Sequence, residues 1–260
     1  MFIRERDDNM KRIAIITGAS SGFGKEFALQ LDNKIKCIDE YWLVARNEEN
    51  LNKLSLCLNH KSKVFALDMS KPESIDTLVD AVKSSHAKIK MLINSAGYGK
   101  IGKVADMDYN DIYGMTDINC SALAVLSKRL IKYMDENSRI INIASSAAFM
   151  PQAGFAVYAA TKSYVLSFTR ALNAELRKND IYATAVCPGP SPTNFFHIAE
   201  EQTEMASYKK YVMIEPDKIV EKAIIDSINK KDVSVCGVVM NAFNIATKVV
   251  PHGIILKFMS

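Results

Sequence analysis

The chain is short of the residues that mark several protein classes. Its 260 residues hold only 11 glycines, below the usual ~7%, which excludes collagen-like and Gly-rich flexible chains. The five cysteines, Cys37, Cys57, Cys120, Cys187 and Cys236, are scattered, odd in number and without a CxxC pair. They make no disulfide framework, and the four histidines stand at no metal-ligand spacing. Reduced thiols in a cytoplasmic protein, and no metal, are the expectation. An excess of one charge is also missing. Against 33 Lys and Arg stand 29 Asp and Glu, leaving +4, too dilute for a nucleic-acid footprint. No apolar run reaches the ~18 residues of a spanning helix. Residues 1–12, MFIRERDDNMKR, lack the apolar core of a signal peptide.

What is present is an ordinary globular composition. A hydrophobic fraction of 48% and a charged fraction of 24% suit a single folded unit of this length. Residues 1–10 are expected to be a loose arm before one domain spanning 11–260. The most apolar stretch, 233–260, is interrupted by Asn241, Asn244, Pro251 and Gly253. It reads as buried core or interface rather than a membrane-surface segment, so no membrane partner is expected.

The few glycines and prolines are clustered. Gly18, Gly22 and Gly24 fall within seven residues, and Pro188, Pro190 and Pro192 within five, which marks two loops with special backbone demands. Around them, apolar runs alternate with helical patterns. Residues 12–17, 41–45, 63–67, 90–94, 139–143 and 181–186 read as six strands. Residues 24–31, 48–58, 72–82, 108–134 and 155–178 read as helices, with Ser70 a candidate cap for the third. Nearly continuous apolar strands between helices imply a doubly wound parallel α/β sheet, covered on both faces. A lobe over residues 190–215 is expected at its carboxyl edge.

Thr17-Gly18-Ala19-Ser20-Ser21-Gly22-Phe23-Gly24 joins the first strand to the first helix. That spacing gives a tight turn, close backbone approach to a pyrophosphate and a helix start facing the phosphates. At the end of the second strand stands Arg46, where an acid would favour NAD and an arginine favours a 2′-phosphate. NADP(H) rather than NAD is the expected cofactor. Asp68, followed by Met69, ends the third strand; it can accept from the adenine amino group or cap the next helix.

Tyr158 and Lys162 are four apart on one helical face. A phenol near pKa ~10 can be lowered by an ammonium and an oxidised nicotinamide, which suits it to move a proton at an oxygen undergoing hydride transfer. The alternative is a surface Tyr-Lys pair. Ser145, just after a strand, can hold a substrate carbonyl, with Ser146 its competitor. Asn119, inside an apolar helix, needs partners; it can bend that helix and hold a water chain to Lys162.

These residues resemble the short-chain dehydrogenase/reductase family in its shorter, single-domain, NADP-preferring form, over roughly residues 11–195. Thr17-Gly18-xxx-Gly22-x-Gly24 is similar to its cofactor loop, and Asn94-Ser95-Ala96-Gly97 to its NNAG element, with Ser95 in place of the second Asn. Asn119, Ser145, Tyr158 and Lys162 match its catalytic tetrad. Pro188-Gly189-xxx-Thr193 matches its PG loop, in which Thr193 would meet the nicotinamide carboxamide. The resemblance implies a Rossmann-type fold and an oxidoreductase in which Tyr158 is the acid/base. Lys162 would tune it and bind the nicotinamide ribose, Ser145 would orient substrate, and Asn119 would support a proton relay. It also implies a homodimer or homotetramer built through helices 108–134 and 155–178.

Specificity is expected from residues 98–102, 147–155 and 191–215. The apolar character of 147–155, with Phe195, Phe196, Met205, Tyr208, Tyr211 and Met213, points to a lipophilic ketone or secondary alcohol; the alternative is that these side chains pack the lobe against the sheet. Two other readings are a non-catalytic NADP-binding sensor or scaffold, and a reductase of a carrier-bound 3-oxoacyl chain, for which Arg129, Lys132 and Arg170 are only scattered basic candidates.

Overall fold

In the computed structural model, residues 10–192, 213–251 and 253 are described. Seven parallel strands form one sheet in the order β3-β2-β1-β4-β5-β6-β7. They are β1 (Arg12–Thr17), β2 (Glu40–Ala45), β3 (Lys61–Ala66), β4 (Lys88–Asn94), β5 (Met134–Ile143), β6 (Tyr182–Val186) and β7 (Val233–Ser234). The sixth strand expected from sequence is thus followed by a seventh. β7 is a two-residue edge beside β6, too short to leave an alternation pattern.

Helices cover both faces, as the apolar strands require. Side chains alternate across β1: Ala14 and Ile16 enter one core, Ile13 and Ile15 the other. The first core is closed by Phe27 and Leu31 of α1 (Gly22–Lys34), Leu51 of α2 (Glu48–Ser55) and Val220 and Ile224 of α7 (Pro216–Ile228). The second is closed by Leu78 and Val82 of α3 (Pro72–Ser85), Leu126 and Leu130 of α5 (Leu123–Leu130) and Leu172 of α6 (Ala156–Leu176). β3, at the edge, carries Lys61 and Lys63, charges that discourage pairing with another chain.

The long helix expected over 108–134 is present but distorted: it runs as α4 (Tyr109–Thr116), a π-helical turn (Asp117–Ala122), α5 and a 3₁₀ turn (Ile131–Tyr133), and β5 begins at Met134. The π turn contains Asn119, whose amide bonds outside its own helix. Ser70 does not cap α3; Lys71 occupies the N-cap, with Pro72 following.

Part of the apolar C-terminal stretch, read as buried core or interface, is not buried core. α8 (Val238–Val249) turns Met240 and Thr247 inward but leaves Val238, Val239, Ile245 and Val249 exposed. Among the described residues no helix is long and apolar enough to cross a membrane. Most of the expected 190–215 lobe, including Thr193, Phe195, Phe196, Met205, Tyr208 and Tyr211, lies outside the described residues.

The strand order reverses between β1 and β4, so the loops leaving their carboxyl ends part and open a crevice. Thr17 ties the two sides. Its Oγ1 accepts from the backbone N–H groups of Ser95 and Ala96, each at 3.1 Å, and donates to the Ile93 carbonyl at 3.3 Å.

Candidate active site

The crevice is a cleft of about 650 Å³ along the carboxyl edge of the sheet. One end is the turn after β1. Gly18 and Gly22 hold φ of +68° and +51°, a left-handed backbone that side chains resist. A Cβ at Gly18 would stand 2.8 Å from the Ser95 carbonyl oxygen, and one at Gly24 would overlap the Gly18 carbonyl. Only glycines let this turn lie against β4 and the start of α1.

That helix start is left open. Ser21 is the N-cap, yet it makes no side-chain cap hydrogen bond, and the first turn holds no acid. Unpaired N–H groups and the positive end of the helix dipole therefore face a cleft lined by Ser20, Ser21, Gly22 and Phe23. These residues fit a pyrophosphate. Gly24 itself does not line the cleft; its part is packing.

Further along stand Arg46, Asp68 and Met69. Arg46 is exposed. Asp68 Oδ1 accepts from the Ser70 N–H at 3.1 Å and from its hydroxyl at 2.8 Å, a local turn rather than a helix cap. Burial opposes the Asp68 charge, but these bonds, helped by Arg46 and Lys71, hold its carboxyl below the ordinary value.

Ala96 and Gly97 line the middle of the cleft, whereas Asn94 lies beneath it. The Asn94 amide donates to Ser127 at 3.1 Å and Asn142 at 2.8 Å, so this residue joins β4 to α5 and β5 from below. A Cβ at Gly97 would reach Asn119 Oδ1 at 2.5 Å and Lys162 Nζ at 3.6 Å, which places both beside this turn.

The other end carries Ser145, Tyr158 and Lys162. Ser145 follows β5, and its hydroxyl accepts from the Ala147 N–H at 3.1 Å to start a 3₁₀ turn (Ser146–Phe149). Tyr158 and Lys162 lie on α6, each 6% exposed, so the surface-pair alternative does not hold. The Tyr158 ring stacks on Phe155 with centroids 4.4 Å apart, and Lys162 Nζ sits 5.6 Å from its centroid. Lys162 Nζ donates to the Ile143 carbonyl at 2.8 Å. Burial drives the Tyr158 phenol above its ordinary value, with the Ser145 hydrogen bond acting the other way. Burial also lowers the Lys162 ammonium to about 8. The protein alone therefore does not supply the lowered phenol pKa expected from sequence; a buried site penalises both charged forms.

Asn119 is placed beside this group but not on the cleft wall. Its Oδ1 accepts from the Tyr98 N–H at 3.2 Å, and its Nδ2 donates to the Tyr98 carbonyl at 2.9 Å and to Thr161 Oγ1 at 3.0 Å. Thr161 Oγ1 donates in turn to the Tyr158 carbonyl at 2.8 Å. The amide thus clamps the turn after Gly97 to α6.

Pro188 and Gly189 line the cleft, and the Pro188 carbonyl accepts from the Ser146 N–H at 2.8 Å. Thr193 lies outside the described residues. Asp111, Gly114 and Ile118 form a wall that sequence reading missed; their spacing of three and four along α4 and its π turn was the available signal. Ser191, the first residue of the 191–215 segment expected to set specificity, also lines the cleft. Within 147–155 only Ala147, Gln152 and Phe155 reach it, while Phe149 and Met150 are buried in the core, Phe149 against Phe243 of α8.

An open sheet with its glycine turn, helix start and buried phenol at one switch point defines the class: an oxidoreductase built on a dinucleotide-binding fold. Known proteins narrow that class. The family model described as short chain dehydrogenase matches residues 12–204, and the chain belongs to that family, whose fold binds a nicotinamide cofactor. An uncharacterized oxidoreductase of Staphylococcus epidermidis is 33% identical over 181 residues, 69% of this chain and 77% of the relative. A short-chain dehydrogenase from Sphingobium yanoikuyae, solved in complex with NADPH, superimposes with a TM-score of 0.79 at 24% identity over 95% of each chain. One from Burkholderia phymatum, solved with NAD, gives 0.79 at 20% identity over 98% of each. At such identities the two structures show the shared fold.

Proposed function

We propose that the protein is an NADP(H)-dependent oxidoreductase that interconverts a ketone and a secondary alcohol. The observation that carries this is the buried Tyr158–Lys162 pair, with Ser145 beside it, in the same cleft as the open start of α1. The glycine turn and α1 would hold the pyrophosphate, and Arg46 at the rim would pair with a 2′-phosphate. Asp68 and Met69 would flank the adenine, Ala96 and Gly97 would border the ribose, and Pro188 and Gly189 the nicotinamide. A bound reduced nicotinamide supplies the hydride.

The rest is done by this chain. Tyr158, kept protonated by burial, donates its proton to the substrate oxygen as the carbonyl is reduced. Ser145, whose hydroxyl bonds Tyr158, orients that oxygen. The Lys162 ammonium favours the phenolate left behind and would bind the nicotinamide ribose. Asn119 holds Gly97 and α6 in register, and a relay through it would run by its backbone, since its amide is already engaged. Ala147, Phe155, Pro188 and Pro190 give the catalytic end an apolar wall, which favours a lipophilic substrate. A cytoplasmic homo-oligomer is the setting we infer.

The test is binding of NADPH and NADH, followed by turnover of a ketone panel read at the nicotinamide absorbance. NADPH binding with oxidation by a hydrophobic ketone is the expected result. Binding with no turnover by any ketone or carrier thioester would favour a sensor.

A further inference from the structure

α8 has two apolar faces. One serves the fold: a Cβ at Gly189 would stand 2.8 Å from Met240 Sδ, Phe243 packs on Phe149 with ring centroids 6.1 Å apart, and Thr247 is buried. The opposite face is open. Val238, Ile245 and Val249 are 86%, 62% and 77% exposed, with Val239 beside them at 58%. Ala242 and Ala246, between them, are exposed as well. A continuous aliphatic stripe on a surface helix marks an interaction surface. This one lies beyond residues 12–204, which the family model matches, and apart from α4, α5 and α6, through which the oligomer is inferred.

The spacing of the stripe says what covers it. Val238, Ala242, Ile245 and Val249 follow in steps of four, three and four residues, the seam of a helix that packs along another helix. A lipid surface asks instead for bulk along the whole stripe and a basic polar face. Here an alanine stands inside the seam, and Lys248 is the single charge on α8.

The stripe is also its own complement. When two copies of α8 run antiparallel about a two-fold axis between Phe243 and Asn244, Ala242 faces the partner's Ile245 and Val238 faces the partner's Val249. Large meets small at the centre, so the layers interdigitate. On one flank Val239 meets the partner's Ala246; on the other Lys248 meets the partner's Asn241, and no two lysines oppose each other. A parallel pairing would set alanine against alanine and leave a gap.

We propose that α8 pairs antiparallel, in this register, with α8 of a second copy of the chain. A 12-residue helix is ~18 Å long, so one seam falls short of the ~800 Å² per partner of a stable interface. It acts together with the contact through α4, α5 and α6, as a second two-fold contact that joins dimers into a tetramer.

The test is sedimentation velocity of the full chain. The wild type should run as a tetramer. Ile245→Glu puts a charge into the seam and should leave dimers, weakening the tetramer at least about 100-fold. Its circular dichroism should not change, because Ile245 lies outside the core of its own copy. Val239→Glu and Ala246→Lys test the register. Each alone should weaken the tetramer about tenfold, and the two together should restore it, since only the antiparallel seam sets them against each other. An assembly whose mass Ile245→Glu leaves unchanged would overturn the proposal; loss of flotation with phosphatidylglycerol vesicles in that variant would then assign the stripe to lipid. Single variants that the double does not rescue would overturn it too. Each of these outcomes leaves the reductase reading intact.

Discussion

The hydroxyl of Tyr98 occupies the place that a side chain at Gly114 would need, since a Cβ built on Gly114 would overlap the Tyr98 oxygen. Tyr98 is thereby held from two directions: its backbone by the Asn119 amide, its ring end in the notch on α4. Gly114→Ala would ordinarily stabilise a helix by about 0.5–1 kcal/mol. Here it should instead destabilise by about 1–3 kcal/mol, the usual range for overpacking. With Tyr98→Phe the nearest ring carbons would stand 3.3 and 3.5 Å away, and most of that cost should vanish. Urea denaturation of the four proteins gives the coupling. A Gly114→Ala penalty that is equal in both backgrounds would refute the notch.

Tyr158→Phe removes the only proton that the proposed mechanism asks this side chain to move. Stacking on Phe155 and burial of the ring are retained. Turnover should fall by a factor of about 10²–10⁴, the usual contribution of a positioned acid or base, while NADPH affinity changes little. Steady-state kinetics beside a fluorescence titration separate the two. Turnover within a few-fold of wild type would move the acid/base role to another group.

The sheet was legible because continuous apolar strands alternate with helical patterns, which leaves few topologies open. The glycine turn, Ser145, Tyr158 and Lys162 were legible because each depends on local spacing. What was not legible depends on distant partners. The π turn around Asn119 is tied to Tyr98 and Thr161, 21 and 42 residues away. Apolarity did not tell pocket from core: within 147–155, open to either reading, Phe149 and Met150 pack inside while Ala147 and Phe155 line the cleft, and α8 exposes four large aliphatic side chains. Asn94 and Gly24 were placed at the cofactor by motif, yet they act through the residues they hold.

Arg46 offers a direct test of cofactor choice. It is exposed at the cleft rim, with the Asp68 carboxylate close enough to feel its charge. Arg46→Asp replaces a partner for a 2′-phosphate by a group that repels it and can accept from a ribose hydroxyl. The NADPH-to-NADH affinity ratio should fall by about 10–100-fold, the scale of a charged hydrogen bond. An unchanged ratio would mean that the 2′-phosphate is held elsewhere or not at all.

Lys162 should cost the folded protein stability at neutral pH. Burial lowers its ammonium to about 8 from an ordinary value of 10.5, so the unfolded chain binds more protons between those two pH values. Stability then rises with pH across that window, because the folded state sheds a charge it holds at a disadvantage. Below the window the full penalty applies, about 3 kcal/mol for this shift. Lys162→Met removes the charge but also the donor to the Ile143 carbonyl, so the net gain at pH 7 should be smaller, about 1–2 kcal/mol. Urea denaturation of both proteins at pH 7 and pH 10.5 checks the sign. Between the two conditions the variant's stability relative to wild type should fall by about 3 kcal/mol, turning its advantage at pH 7 into a deficit at pH 10.5. A difference that stays constant with pH would show that Lys162 is no less readily protonated in the fold than outside it.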